Sequence, residues 1–264
     1  MDTKHTKTFP IFESAQELTS EQKEFLDLCA QGTWSLNPLT GLVDVNGDFN
    51  CGSCRLHNFK GVRFGNIDGE FSCRENLLVT LNGAPQTVKG HFWCSGNFLE
   101  TLDGAPREVG GDFYADANLL VTLEGAPLEI GRHFLCNDNW LKTLKGAPKV
   151  VGGDFRCNSN LQSLEGAPQT IKGQFTTKNL TIRKGGWSMD TLIGIFINGT
   201  HNEKNLIESL VDPKKIQRQI DENPEDMLIN LKGHLKHPHL QGLKWPQNLD
   251  REKDLISDLG DFGL

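Results

Sequence analysis

Seven phenylalanines set the architecture of this 264-residue chain: Phe49, Phe71, Phe92, Phe113, Phe134, Phe155 and Phe175, spaced 22, 21, 21, 21, 21 and 20 residues apart. They sit in VNGDFNC, IDGEFSC, VKGHFWC, VGGDFYA, IGRHFLC, VGGDFRC and IKGQFTT, and NLLVTLNGAP, NFLETLDGAP, NLLVTLEGAP, NWLKTLKGAP and NLQSLEGAP run between them. A unit this short cannot bury its own apolar side. Neighbouring units must stack into a solenoid, each touching only the next.

Each repeated position has a physical reading. Phe and Cys two residues apart point to one side of a strand, toward the core. The Leu residues seven and ten after Phe fill the interior. Asn five after Phe (Asn76, Asn97, Asn118, Asn139, Asn160) suits a turn, where its amide satisfies backbone groups of adjacent coils. Gly-Ala-Pro forbids a continuing helix, so the return side is expected to be extended or polyproline-like.

This pattern resembles the leucine-rich repeat, with Phe and Cys in its strand positions, and is most similar to the short bacterial class. The LEGAP and VGGDF phrasing is also similar to repeat proteins of large tailed phages. The resemblance covers roughly residues 44–178. It implies an α/β fold, a leucine-rich-repeat-like solenoid of short parallel strands with a helical N-cap and a helical C-terminal region. The last coil loses one residue near Asn160-Leu161, as an array does where it ends.

Three regions follow: an N-terminal segment and cap (1–43), the solenoid of six coils and a partial one (44–179), and a helical C-terminal cap or small domain (180–264). Residues 20–34 show helical apolar spacing at Phe25, Leu26 and Cys29, with Ser20 as cap and Lys23 where a capping box wants Glu. SMDTLIGIFI, EKNLIESLV, DPKKIQRQIDENPEDMLINLKGHLK and LDREKDLISDLG read as helices. Pro213 suits a helix start, and Pro224 should split the third piece.

The net charge of −7 is spread as −3, −2 and −2 over the three regions, leaving no basic pole for nucleic acid. No apolar run is long enough for a membrane span, and the start lacks the hydrophobic stretch of a signal peptide, so a cytoplasmic protein with reduced thiols is expected. Cys51, Cys73, Cys94, Cys136 and Cys157 come one per coil, with Ala115 in the same column. A line of thiols ~4.8 Å apart is a packing ladder and not a tetrahedral metal site. Cys51 and Cys54 form a CxxC without a second pair, and Cys54 falls at the Asn position of the first coil. His234, His237 and His239 form a cluster read as surface or cap packing. No phosphate loop or nucleophile set stands out, so no enzyme activity, metal or cofactor is expected.

A binding surface is the stronger expectation. Residues one before, one after and three after each Phe alternate outward, and those at the centre are His91, Trp93, Asp112, Tyr114, Asp116, His133, Leu135 and Arg156. Large amphipathic groups in polar surroundings suit a protein partner, and the phage resemblance suggests a host defence or regulatory protein. A second column, six after Phe, holds Leu77, Phe98, Leu119 and Trp140, an apolar ridge at the rim. Its cover would be the C-terminal helices, a partner protein or a second copy. The competing functions are a small-ligand or carbohydrate receptor using Trp93 and Tyr114 as platforms, and an enzyme in the helical region.

Overall fold

The structure, a computed structural model, describes residues 17–208, 210–231, 240, 242–244 and 246. The chain begins with α1 (Ser20–Cys29), followed by β1 (Ala30–Leu36) and β2 (Val43–Asn50). Each coil then contributes two short strands. These are β3 (Phe64–Ile67) and β4 (Phe71–Ser72), β5 (Thr87–Val88) and β6 (Phe92–Trp93), β7 (Glu108–Val109) and β8 (Phe113–Tyr114). There follow β9 (Glu129–Ile130) and β10 (Phe134–Leu135), β11 (Val150–Val151) and β12 (Phe155–Cys157), β13 (Thr170–Ile171) and β14 (Phe175–Thr177), and finally β15 (Thr181–Ile182). Four helices complete the described chain: α2 (Met189–Asn198), α3 (His201–Ile207), α4 (Pro213–Glu222) and α5 (Pro224–Leu231).

The coils stack as a leucine-rich-repeat-like solenoid with two parallel ladders. β2 is long enough to start both: Val45 pairs with Ile67, and Phe49 pairs with Phe71. One ladder continues through the Val/Ile column and the other through the Phe column. The sequence points to one strand per coil; the structure has two because glycines turn the chain between the Val/Ile and the Phe. Successive coils approach so closely there that a Cβ on Gly131 would run into the Gly110 carbonyl.

The core is a set of columns. The seven Phe rings are fully buried, with successive centroids 5.4, 5.7, 5.0, 5.3, 5.3 and 5.5 Å apart. Burying one such side chain stabilises by ~1.5–3 kcal/mol. The Leu pairs, Val/Ile residues and repeat cysteines fill the rest of the interior. Gly-Ala-Pro ends a tight turn: the Ala84 N–H donates to the Leu81 carbonyl at 2.8 Å while Gly83 takes φ +94°. A left-handed third residue is what a type II turn requires, which is why Gly stands there.

The Asn column bridges coils as its position suggests. Asn118 Nδ2 donates to the carbonyls of Cys94 (3.1 Å) and Ala115 (3.2 Å), and its Oδ1 accepts the Leu99 N–H at 3.2 Å. The residue before each Asn is left-handed: Glu75, Gly96, Ala117 and Asp138 have φ between 52° and 68°. Two expected rungs fail. The sixth coil lacks the left-handed residue, so Ser159 takes the buried place and Asn160 is exposed. Ser159 Oγ makes none of the bonds that the amides make. Cys54 is also exposed, its Sγ donating only to the Gly52 carbonyl within its own loop.

Both ends differ in detail from the sequence expectation. The N-cap of α1 is Thr19, not Ser20, and the capping box is complete: Thr19 Oγ1 accepts the Gln22 N–H and Gln22 Oε1 accepts the Thr19 N–H. The helix stops at Cys29. Residues 30–36 pair antiparallel with β2, because Gly32 disfavours a continuing helix and Thr33 and Trp34 suit a strand. α1 closes the core by setting Phe25 edge-on against Phe49, centroids 5.6 Å apart.

At the other end Ser188, Thr200 and Asp212 cap α2, α3 and α4, Pro213 opens α4 and Pro224 separates it from α5. Trp187 packs on Phe175 (4.6 Å) and donates to the Pro168 carbonyl, and the Leu164 N–H donates to the Leu206 carbonyl. These helices therefore seat on the end of the stack. No described helix is long and apolar enough to cross a membrane. The expected helix in LDREKDLISDLG and the cluster of His234, His237 and His239 lie outside the described residues.

Candidate functional site

The exposed sheet face is a set of columns in register. Trp93 pairs with Tyr114, Tyr114 with Leu135, and Leu135 with Arg156. The Trp93 and Tyr114 rings stack, centroids 3.7 Å apart and planes 6° apart, and His91 meets Trp93 edge-on at 6.2 Å. Stacking consumes one face of each ring, so the pair is a stiffened ridge and not two open platforms.

The column one before Phe has a second job that the sequence did not show. The chain bends between the two ladders, and side-chain acceptors there take up backbone N–H groups of the following coil. Asp48 Oδ1 accepts from Glu70, His91 Nδ1 from Asp112, Asp112 Oδ1 from His133, His133 Nδ1 from Asp154, and Asp154 Oδ1 from Gln174, all at 2.8–2.9 Å. Asp112 Oδ2 also lies 3.1 Å from His91 Nδ1. Because the single lone pair of that nitrogen is taken up by the Asp112 N–H, it has no proton to give the carboxylate, and the contact is not a hydrogen bond. Asp116 and Asn137 continue the device three after Phe, accepting the N–H groups of Asn137 and Asn158.

Charge on the face is locally balanced. Arg156 Nη2 bonds Asp154 Oδ2 at 2.8 Å. Burial works to raise the Asp154 carboxyl, yet the Gln174 N–H and the Arg156 guanidinium hold it below the usual value. Burial, then the bond from Tyr114 Oη to Asp112 Oδ2 (3.1 Å), raises the Tyr114 phenol. Among the expected site residues, His91, Asp112, Asp116 and His133 are thus engaged within the stack. Trp93, Tyr114, Leu135 and Arg156 are what the face presents.

The rim is different, because its largest side chains stand uncovered among the described residues. The ridge backbone is fixed coil to coil: Leu77, Phe98, Leu119 and Trp140 donate to the carbonyls of Leu56, Leu78, Leu99 and Leu120 at 2.9–3.0 Å. Trp140 is 67% exposed and Phe98 46%, while Leu77 and Leu119 are half-buried. Among the described residues, those of the C-terminal helices leave Phe98 and Trp140 exposed. Sequence reading missed Val79 and Val121, 63% and 54% exposed, which widen the ridge in alternate coils where Glu100 and Lys142 hold the equivalent place. Their signal was the recurrence eight after Phe, obscured by the charged residues that interrupt it.

The Cys column is packing. Cys94 and Cys136 donate to the carbonyls of Tyr114 and Arg156, and burial pushes Cys51, Cys73, Cys94 and Cys136 well up. The neighbouring Cys136 thiol lowers Cys157 against the opposing effect of burial. No group of His, Cys, Asp or Glu among the described residues could hold a metal. A cleft of about 580 Å³ lies away from the face and rim, between Pro168 and Thr170 of the last coils and α2, α4 and α5. No family model matches the chain, and no curated protein or solved structure is significantly similar to it.

Proposed function

We propose that the protein is a non-enzymatic protein-binding module that engages its partner through the rim and the adjoining aromatic part of the sheet face. The observation that carries this reading is the row of exposed Val79, Phe98, Val121 and Trp140 on a backbone fixed by coil-to-coil hydrogen bonds. Large apolar groups held rigidly bind with little further ordering cost. The phage-like phrasing of the repeats extends the proposal to an inhibitor or modulator of a host protein in the cytoplasm.

The experiment is affinity capture from the native cell with wild type and the Phe98→Ala/Trp140→Ala and Tyr114→Ala variants, each checked for an unchanged circular dichroism spectrum. A partner held by wild type should be lost from the rim double variant and weakened by Tyr114→Ala. If every captured protein is retained equally by the folded variants, the rim is not the binding surface.

A further inference from the structure

The N-terminal end of the solenoid is closed unlike the other. At the C-terminal end the last strand, β15, has two residues and is followed by four helices. At the N-terminal end the outermost strand is β1, seven residues long, paired through all seven to β2 and, among the described residues, to no strand on its other side. An edge of that length displays a row of N–H and C=O groups ready to pair. Natural edges are guarded by charged residues, proline or short length. β1 reads AQGTWSL, with no charge and no proline.

The surroundings indicate what would pair there. α1 leads directly into β1, and residues 17–29 carry four carboxylates (Glu17, Glu21, Glu24, Asp27) against one Lys. Glu21 is matched by Lys60 at 3.0 Å, and Asp27 Oδ1 accepts the Trp34 Nε1–H and so ties α1 to the strand, which leaves Glu17 and Glu24 exposed on the segment that leads into β1. Leu28 and Leu39 stand just before and just after β1 in the chain, 77% and 91% exposed. A second copy would bring the same acidic helix against itself, so charge disfavours self-pairing.

We infer that the free edge of β1 is a strand-addition site for an extended polypeptide segment bearing alternating basic side chains. Main-chain bonds to β1 supply the pairing, and the α1 carboxylates select for Lys or Arg. This surface is distinct from the rim, and the two readings fail separately.

The test uses the full chain and two eight-residue synthetic peptides, one alternating Lys and Val and the other Glu and Val. Labelled-peptide anisotropy at low salt reads affinity, and hydrogen exchange reads the β1 amides. The Lys peptide should bind at least tenfold tighter than the Glu peptide and slow exchange within residues 30–36. Glu17→Lys/Glu24→Lys should weaken it at least fivefold, and Phe98→Ala/Trp140→Ala should leave it unchanged. Equal binding of both peptides, or protection elsewhere than β1, would overturn the inference. So would full protection of the β1 amides in the free chain, which would mean that the edge is already occupied.

Discussion

Tyr114 Oη donates to Asp112 Oδ2 at 3.1 Å, and the same carboxylate's Oδ1 accepts the His133 N–H at 2.9 Å. One side chain thereby ties the aromatic ridge of the face to the backbone of the next coil. Tyr114 is the only tyrosine in the chain, so its ionisation can be followed cleanly by absorbance near 295 nm.

The phenol should ionise above its ordinary 10.0, because burial and then the Asp112 bond favour the neutral form. The sign follows: this contribution to stability is complete below pH 10 and is lost as pH rises through the folded value. Asp112→Asn keeps an acceptor for the His133 N–H but removes the charge, so the titration midpoint should fall toward 10. An unmoved midpoint would rule out the carboxylate as a cause.

The Asn column is expected to be a large local contributor. Asn118→Ala strands the buried Leu99 N–H and two carbonyls, and should cost about 2–4 kcal/mol in urea unfolding. Because the stack is nearly one-dimensional, the loss should also uncouple the coils on either side and broaden the transition. A cost under about 1 kcal/mol would mean that water replaces the rung.

Ala117 occupies a left-handed position at φ 52°, where the preceding coil has Gly96. A Cβ there is strained by ~1–2 kcal/mol, offset in part by the ~0.4–1 kcal/mol of unfolded-state freedom that Gly adds. Ala117→Gly should therefore stabilise slightly, by about 0.5 kcal/mol, read as a small rise in Tm. A fall in Tm would show that the strain is relaxed elsewhere in the loop.

Thiol reactivity should separate Cys54 from the other six. Cys54 alone is exposed, while Cys29 is buried and pushed up to about 11. A disulfide reagent at pH 8 should modify one thiol rapidly in the native protein and all seven after denaturation. More than one fast thiol would show that the column opens.

Much of the fold was legible because a 21-residue period repeats the same instruction six times. Phe, Leu and Cys columns, the Asn bridges and the Gly turns each follow from side-chain size or backbone chemistry acting within a single unit. The failures came where the period breaks. Ser159 took the place assigned to Asn160 because a one-residue loss removes the left-handed position, and a spacing count alone does not say which position was skipped. Residues 30–34 were read into a helix because the Phe25–Cys29 periodicity gave no reason to stop, whereas β2 offered seven residues of backbone pairing.

The sequence by itself determined the stack, its interior and which side chains stand in outward columns, since those depend on local geometry repeated coil after coil. Tertiary structure decided what each outward column does. His91, Asp112 and His133 look like a polar binding face until the bent backbone between the ladders shows which N–H groups they satisfy. Phe98 and Trp140 acquire meaning only when their side chains are seen to stand exposed among the described residues while the C-terminal helices seat on the end of the stack. Both outcomes depend on contacts between residues about 20 or more positions apart, and no pattern within one repeat encodes those.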